Sequence, residues 1–374
     1  MFRRIFSGFL IIIFLFSTFS LTANSIGVSA QSSVLLNANT LSVYYDKNAH
    51  KQLPMASTTK IMTAVILCEN VRLDEVIRVT YEMIAVEGSS MGLLEGDRIT
   101  YYGLLCGMLL ASGNDAANSA AISFAGSAKN FAELMNKKAK EIGMNNTNFV
   151  TASGLDDENH YSTAYDMALL ASYALNNQII RDIVSQKSIT IEFGNPVHKQ
   201  SIRNHNRLLS IYKDAIGVKT GFTKKSGRCL VSAAERDGVT LICVTLNAPD
   251  DWDDHCNLFE YGFSLFKNYD VSKIVQLKDI DLVGANSNNA RLKIYEKKIK
   301  LTENDIKRIK YKAYLPRYIY ATSNSEKVGR VDYYINDRYI GSSDVLVGND
   351  FRVVKFNQSF SYRFWNNFFN LIRV

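Results

Sequence analysis

Three β-rich segments, AIGVKTGFT, GRCLVSAAER and VTLICVTLNA, follow one another closely within residues 215–248 of this 374-residue chain. Asp237-Gly238, between the last two, is a tight-hairpin signal. Near the other end, VLLNANT and LSVYYDKNA alternate well enough to form two short strands of a hairpin. Between the two groups, from about Asp97 to Leu175, the pattern is largely helical: TYYGLLCGMLL, NDAANSAAISFA, NFAELMNKKAKEIG and TAYDMALLASYAL. Their apolar residues recur every three or four positions, and Gly143 is a stop signal after the third. DDWDDHCNLFEYGFSLF then opens with acids and runs into a helix. Early strands, a helical block and late strands make one α+β domain over about 31–268, with the chain ends meeting in one antiparallel sheet flanked by helices.

That leaves residues on both sides, as expected of a chain longer than one average domain. From 269 to 354 the composition shifts to KIVQLKDIDL, RLKIYEKKIKL and VGRVDYYINDRYIGSSDVLV, short alternating segments that read as a small all-β domain. In residues 355–374, Phe356, Phe360, Phe364, Phe368 and Ile372 recur at every fourth position among Lys355, Arg363 and Arg373. This is an amphipathic helix, suited to a membrane interface or to docking on the β-domain. At the N-terminus, Arg3 and Arg4 precede an apolar stretch from Ile5 to about Leu21. Small residues follow, with Val28-Ser29-Ala30 and Leu21-Thr22-Ala23 as cleavage candidates. Residues 1–30 thus read as a secretory signal peptide, an uncleaved anchor being the alternative, and either places the rest outside the cytoplasmic membrane.

A net charge of +7 suits an anionic wall or membrane surface but lacks the dense basic patches of a nucleic-acid binder. Cys68, Cys106, Cys229, Cys243 and Cys256 are scattered through apolar segments, which fits buried free thiols and gives no zinc spacing.

In MASTTKIMTAVILCEN, Ser57 and Lys60 lie one helical turn apart at the head of an apolar run, so their side chains share a face. Ser-x-x-Lys alone is a weak signal, and Ser210-Ile211-Tyr212-Lys213 repeats it. Behind Lys60, however, a long apolar helix would bury the amine. At an unperturbed pKa of about 10.4, only on the order of one lysine in a thousand is neutral at pH 7, so a lysine base needs desolvation or a second cation. Lys219-Thr220-Gly221, in the strand AIGVKTGFT, supplies a candidate cation, and Ser112-Gly113-Asn114 lies between two helices. Lys225-Ser226-Gly227 and Ser287-Asn288-Asn289 mimic these patterns but fall in expected turns. The order SxxK, SxN, KTG, each in a fitting context, is far more specific than any one of them.

With MASTTKIMTA, LLASGNDAANSAA, MNNTNFVTASGLDDENHYSTAYDMALLA and IGVKTGFTKKSGRCLVSAAERDG, the chain closely resembles the secreted D-alanyl-D-alanine carboxypeptidases, low-molecular-mass penicillin-binding proteins with a β-lactamase/transpeptidase-like fold. The resemblance implies that Ser57 attacks the carbonyl between the two terminal D-alanines of a peptidoglycan stem peptide and that Lys60 takes its proton. It implies that Ser112 relays a proton to the leaving amine and Asn114 holds the substrate amide. Lys219 would keep Lys60 neutral, Thr220 would bind the terminal carboxylate, and Gly221 would let the strand approach the substrate. The backbone N–H groups of Ser57 and Phe222 would form the oxyanion hole. No cofactor or metal is implied; the expected partners are peptides ending in D-Ala-D-Ala, β-lactams and, through the tail, the membrane surface.

Some relatives place an arginine near the last core strand to help bind the carboxylate; here that region reads APDDWDDHC, with Arg203, His205 and Arg207 as substitutes. The acids of DDWDDHC suit a helix start better than a metal site. Asp156, Asp157, Glu158 and His160 carry no signature of a deacylating glutamate and read as loop-shaping, with Asp166 stabilising the fold. A D,D-endopeptidase or transpeptidase would share the acylation residues, and a non-catalytic wall scaffold would not need them.

Overall fold

The computed structural model describes residues 26–320 and 327–348. Of the expected leader only residues 26–30 fall within that range, and the expected amphipathic helix at 355–374 lies outside it. Among the described residues no helix is long and apolar enough to cross a membrane.

Residues 26–30 are packed into the fold. Val28 and Ala30 are buried, and the Ser29 N–H, the Ser29 hydroxyl and the Ala30 N–H all donate to the Asp254 carboxylate. Next come β1 (Ser32–Asn37) and β2 (Val43–Lys47), the expected hairpin, then a 3₁₀ turn at Ala56–Thr59 leading directly into α1 (Lys60–Asn70). Then follow β3 (Val76–Arg78), α2 (Tyr81–Ile84) and β4 (Arg98–Thr100). The helical block is α3 (Tyr101–Leu110), α4 (Asn114–Ala125), α5 (Ala128–Ile142) and α6 (Ala164–Ala174). Local chemistry sets its bounds: Thr100, Ser127 and Thr163 cap the first turns of α3, α5 and α6, and Gly126 and Gly143 end α4 and α5 in the left-handed conformation. Asp166, buried, accepts from the Asn146 N–H and the Thr147 hydroxyl and so ties the preceding loop to α6.

After α7 (Gln178–Ser185), β5 (Ser188–Gly194) and β6 (Val197–Arg203) form a hairpin. It joins β3 and β4 in a second, four-stranded sheet that the sequence patterns did not reveal. A short α8 (Leu208–Ile211) precedes β7 (Ala215–Thr223), β8 (Gly227–Arg236), β9 (Val239–Leu246) and α9 (Asp251–Ser264). The main sheet has the order β2-β1-β9-β8-β7, every neighbouring pair antiparallel, so early and late strands meet at its centre and β7 is an edge.

Both faces of this sheet are covered, which is why β9 is buried at every position and reads as a continuous apolar run. Val34, Leu36, Ile242 and Val244 face the helical block, with Ile61, Leu105 and Leu170 in the same core. Leu35, Leu241 and Cys243 face the other way, into the core that holds Leu258 and Phe259 of α9. All five cysteines are free thiols; Cys68 and Cys256 are only partly buried.

Beyond Lys267 short strands predominate. Four of them, at Leu292–Ile294, Arg338–Val347, Lys327–Ile335 and Lys310–Tyr314, form an antiparallel sheet over a core of Val271, Leu301, Val331, Tyr333, Ile335 and Val345. The region is not purely β: a helical turn at Glu303–Ile306 is held by a reciprocal Thr302–Asp305 capping box. Asp305 also accepts a hydrogen bond from the Tyr44 hydroxyl of β2, and Asn336 donates to the Thr40 carbonyl.

Candidate active site

The first residues of α1 enter the core, and Lys60 is fully buried there. Ser57 belongs to the 3₁₀ turn before the helix, where residues three apart eclipse one another, and Lys60 Nζ lies 2.8 Å from Ser57 Oγ. Ser57 is thus not a side-chain cap of α1. The same amine donates to Asn114 Oδ1 at 2.7 Å and to the Ser153 carbonyl at 2.7 Å. Neither oxygen can donate in return. A neutral amine has two N–H groups, which these two acceptors consume, so its lone pair is left facing the Ser57 hydroxyl. Asn114 is itself oriented by donating from Nδ2 to the Glu87 carbonyl.

Burial pushes Lys60 well below its ordinary pKa, the charge of Lys219 adds to that, and Asp115 opposes it. The sequence offered desolvation or a second cation, and the resemblance named Lys219; in the structure both act on Lys60, desolvation first and Lys219 second. Lys219, also buried, donates to Ser112 Oγ at 3.0 Å and to the Thr220 carbonyl, and burial brings it down to about 7.

A pH dependence follows. Raising the pH through the Lys60 titration increases its neutral form, whereas above about 7 Lys219 loses its charge, and with it any attraction for an anion in the cavity. Second-order acylation by an anionic β-lactam should therefore be bell-shaped, with its basic limb beginning near 7. A stopped-flow pH series checks this, and a rate still climbing at pH 9 contradicts it. Stability runs in the other sense: between about 7 and 10.5 the unfolded chain binds the Lys219 proton and the folded one does not, so this contribution rises with pH.

Two backbone features hold these side chains. Ala56 and Ser112 have positive φ, at 47° and 62°, and each lies beside or within the cluster. Gly154 (φ +85°) passes so close to the Ser57 turn that a Cβ there would lie 1.9 Å from the Ala56 carbonyl oxygen. At Gly221 a Cβ would lie 3.0 Å from the Ser57 nitrogen, so this glycine lets edge strand β7 reach the Ser57 turn itself.

Ser57, Ser112, Thr220, Gly221 and Phe222 line one cavity of about 270 Å³, together with Ser89, His205, Arg228, Asp251 and Trp252. Lys60, Asn114 and Lys219 stand behind its wall through the hydrogen bonds above, and Phe222 is 66% exposed at its rim. His205 is in the cavity, while Arg203 and Arg207 line a neighbouring hollow. Arg228 donates from Nε and Nη2 to Asp251 Oδ1 and lies over the Trp252 ring. The second acid of DDWDDHC, Asp251, thus holds an arginine at the cavity, and Asp254 ties down residues 29–30. His160 Nδ1 accepts from the Val150 N–H and its Nε2 meets Thr59 Oγ1, which fixes the loop carrying Ser153 against the Ser57 turn.

Residues 19–250 match the model of the D-alanyl-D-alanine carboxypeptidase family. The chain belongs to that family. It is 33% identical over 252 residues to the D-alanyl-D-alanine carboxypeptidase DacF of Bacillus subtilis, a match covering 65% of this chain and 64% of that protein. With DacC of Escherichia coli K12 it shares 29% over 378 residues, covering 91% of each. The D-alanyl-D-alanine endopeptidase of Escherichia coli K12 is 32% identical over 61% of this chain and 74% of its own. Among solved structures, this D-alanyl-D-alanine carboxypeptidase family member is similar to the DD-transpeptidase of Streptomyces strain K15 (TM-score 0.61, 32% identity, 64% of this chain and 98% of that one). It is similar also to the carboxypeptidase DacD of Francisella tularensis (TM-score 0.64, 25% identity, 88% and 95%).

Proposed function

We propose that this chain is a serine D-Ala-D-Ala carboxypeptidase, cleaving the terminal D-alanine from peptidoglycan stem peptides and acylated by β-lactams at the same serine. The observation that carries this reading is the buried Lys60 amine, 2.8 Å from Ser57 Oγ and held there by the Asn114 side-chain oxygen and the Ser153 carbonyl. Lys60 takes the Ser57 proton as Oγ attacks the carbonyl, and the oxyanion meets the backbone N–H groups of Ser57 and Phe222. Ser112, hydrogen-bonded to Lys219, passes a proton to the departing amine. Asn114 steadies Lys60 and the substrate amide, Thr220 and Lys219 draw the terminal carboxylate, and Arg228 adds a cation where the relatives' arginine was sought. Water then cleaves the Ser57 ester. Incubation with a pentapeptide ending in D-Ala-D-Ala should release D-alanine; fluorescent penicillin labelling without release would refute the carboxypeptidase activity and leave only acylation.

The same reading puts the enzyme at the outer face of the cytoplasmic membrane, led there by the N-terminal leader and held by the amphipathic segment expected from the sequence of residues 355–374. The packing of Val28, Ser29 and Ala30 favours cleavage at Leu21-Thr22-Ala23, which keeps those contacts in the mature chain. A mature chain ending at Val354 should leave the membrane fraction, and its continued sedimentation with membranes would overturn the anchor.

A further inference from the structure

Asp115, in the first turn of α4, is a buried carboxylate that the reaction above does not use. An acid in that position ordinarily serves the N–H groups of its own helix. Asp115 does so once, accepting from the Ala116 N–H at 2.9 Å. The rest of its capacity goes to another part of the chain: it accepts from the Ser90 hydroxyl at 2.5 Å and from the N–H groups of Met91, Gly92 and Leu93 at 3.0–3.1 Å. Four donors from four successive residues thus converge on one side chain, in the segment that joins α2 to β4.

That segment, residues 85–97, has neither helix nor strand of its own, yet it crosses the catalytic cluster. The Asn114 N–H donates to the Ser89 carbonyl at 2.6 Å, Asn114 Nδ2 donates to the Glu87 carbonyl at 2.7 Å, and Ser89 lines the cavity. Gly88 has a φ of +92°, and a Cβ there would lie 2.7 Å from Asn114 Nδ2, so the backbone passes directly over that amide. With Nδ2 on Glu87, the Asn114 amide turns Oδ1 to Lys60. A connected series of contacts therefore runs from Asp115 through residues 87–93 to Asn114, Lys60 and Ser57. The carboxylate also acts through its charge. The charges felt by Lys60 come from two elements, Lys219 of β7 and Asp115 of α4, while His205 in the same cavity feels Lys219. Burial and Lys219 both favour the neutral amine, and Asp115 works against them.

We propose that Asp115 is a positioning residue for the acylation step: it fastens residues 90–93 so that Glu87 and Ser89 hold the Asn114 amide toward Lys60, and it sets one negative charge against the two buried lysines. The inference rests on the peptidase reading above. Asp115 makes and breaks no bond in the reaction; it acts through Asn114 and through its field at Lys60. The segment it holds has no regular structure to keep its carbonyls in place, so the position of Asn114 depends on this one fastening.

The test measures second-order acylation by a β-lactam across pH for the full chain and for Asp115→Asn, Ser90→Ala, and each of these combined with Lys60→Met. Asparagine keeps the size of Asp115, removes the charge and turns an N–H group toward the N–H groups of residues 91–93. At its pH optimum Asp115→Asn should be slower by about tenfold to a hundredfold, the scale of a displaced catalytic group. Its acid limb should move to lower pH, because the limb follows loss of the Lys60 proton and removing the anion makes that proton easier to lose. A disturbance that merely admitted water would move the limb to higher pH, since a rehydrated amine holds its proton more firmly. Ser90→Ala keeps the charge and removes one donor, so it should slow acylation by about threefold or more and leave the limb in place. In the Lys60→Met background each change should cost less than about threefold, because its effect passes through Lys60. An acid limb in Asp115→Asn that stays put or moves upward, an unchanged rate in Ser90→Ala, or equal costs with and without Lys60 would each overturn the proposal. If Asp115→Asn does not fold, the Ser90→Ala rate and its coupling to Lys60→Met decide alone. Failure of the unmodified protein to be acylated at Ser57 would refute the peptidase reading and the inference with it, whereas the other failures leave that reading standing.

Discussion

Replacing Lys60 by methionine is expected to give a folded protein that is acylated by β-lactams roughly a thousandfold more slowly, within the 10²–10⁴ range for loss of a general base. Methionine follows the path of the lysine stem through the same buried space, so the core around Ile61 and Met62 keeps its volume. The change has opposing effects on stability. Asn114 Oδ1 and the Ser153 carbonyl each lose a donor, a cost of about 1–3 kcal/mol apiece. Against that, the folded state no longer dehydrates an amine, the burial that chiefly lowers the Lys60 pKa. Thermal unfolding should move by only a few degrees while the acylation rate collapses. A Lys60→Met protein labelled by fluorescent penicillin at the unmodified rate would remove Lys60 from the proton transfer.

Gly154→Ala should produce the reverse pattern, large damage to the fold near the site. The added methyl group meets the Ala56 carbonyl at 1.9 Å, a contact with backbone that no rotamer change relieves. The φ of +85° adds roughly 1–2 kcal/mol for any residue with a Cβ. Relief requires the 150–162 loop to withdraw from the Ser57 turn, which takes the Ser153 carbonyl from Lys60 and His160 from Thr59. We expect a loss of about 3 kcal/mol or more, equivalent to roughly 6–12 °C in a domain of this size, with slower acylation. Differential scanning calorimetry together with labelling kinetics reads both effects; an unchanged midpoint would show that the loop is not clamped on the turn.

Much of this site was legible because its side chains come in short patterns with a required context. Ser57 with Lys60, Ser112 with Asn114, and Lys219 with Thr220 converge on one cavity, whereas Ser210 and Lys213 are exposed on and just after the short α8, and Ser287 sits in an exposed turn. The apolar run behind Lys60 foretold its burial, and burial turned out to be the main cause of its lowered pKa. What could not be read is what lacks a side-chain signature. The Ser153 acceptor is a backbone carbonyl, which any residue type supplies. Arg228 and Asp251 are 23 positions apart, and only the packing of α9 against β8 joins them. In the β5–β6 hairpin, SITIEFG of β5 does alternate apolar and polar residues, but most of β6 faces solvent, so VHKQSIR offers no matching partner pattern to detect. The 3₁₀ turn at Ser57 escaped for another reason: a spacing of three fits both helix types, and the choice is made by contacts with Gly154 and Gly221.

The central place of β1 in the main sheet has a consequence for how the chain is made. Its partner β9 pairs Ser32 with Leu246, more than two hundred residues later in synthesis. Until that partner emerges, β1 and β2 have only each other, and an isolated two-stranded hairpin is marginal in water. Helices of the 101–174 block can form early from local contacts, but the layer they pack against closes last. A nascent chain of this kind remains open, and accessible to chaperones or a protein-conducting channel, until its late strands arrive.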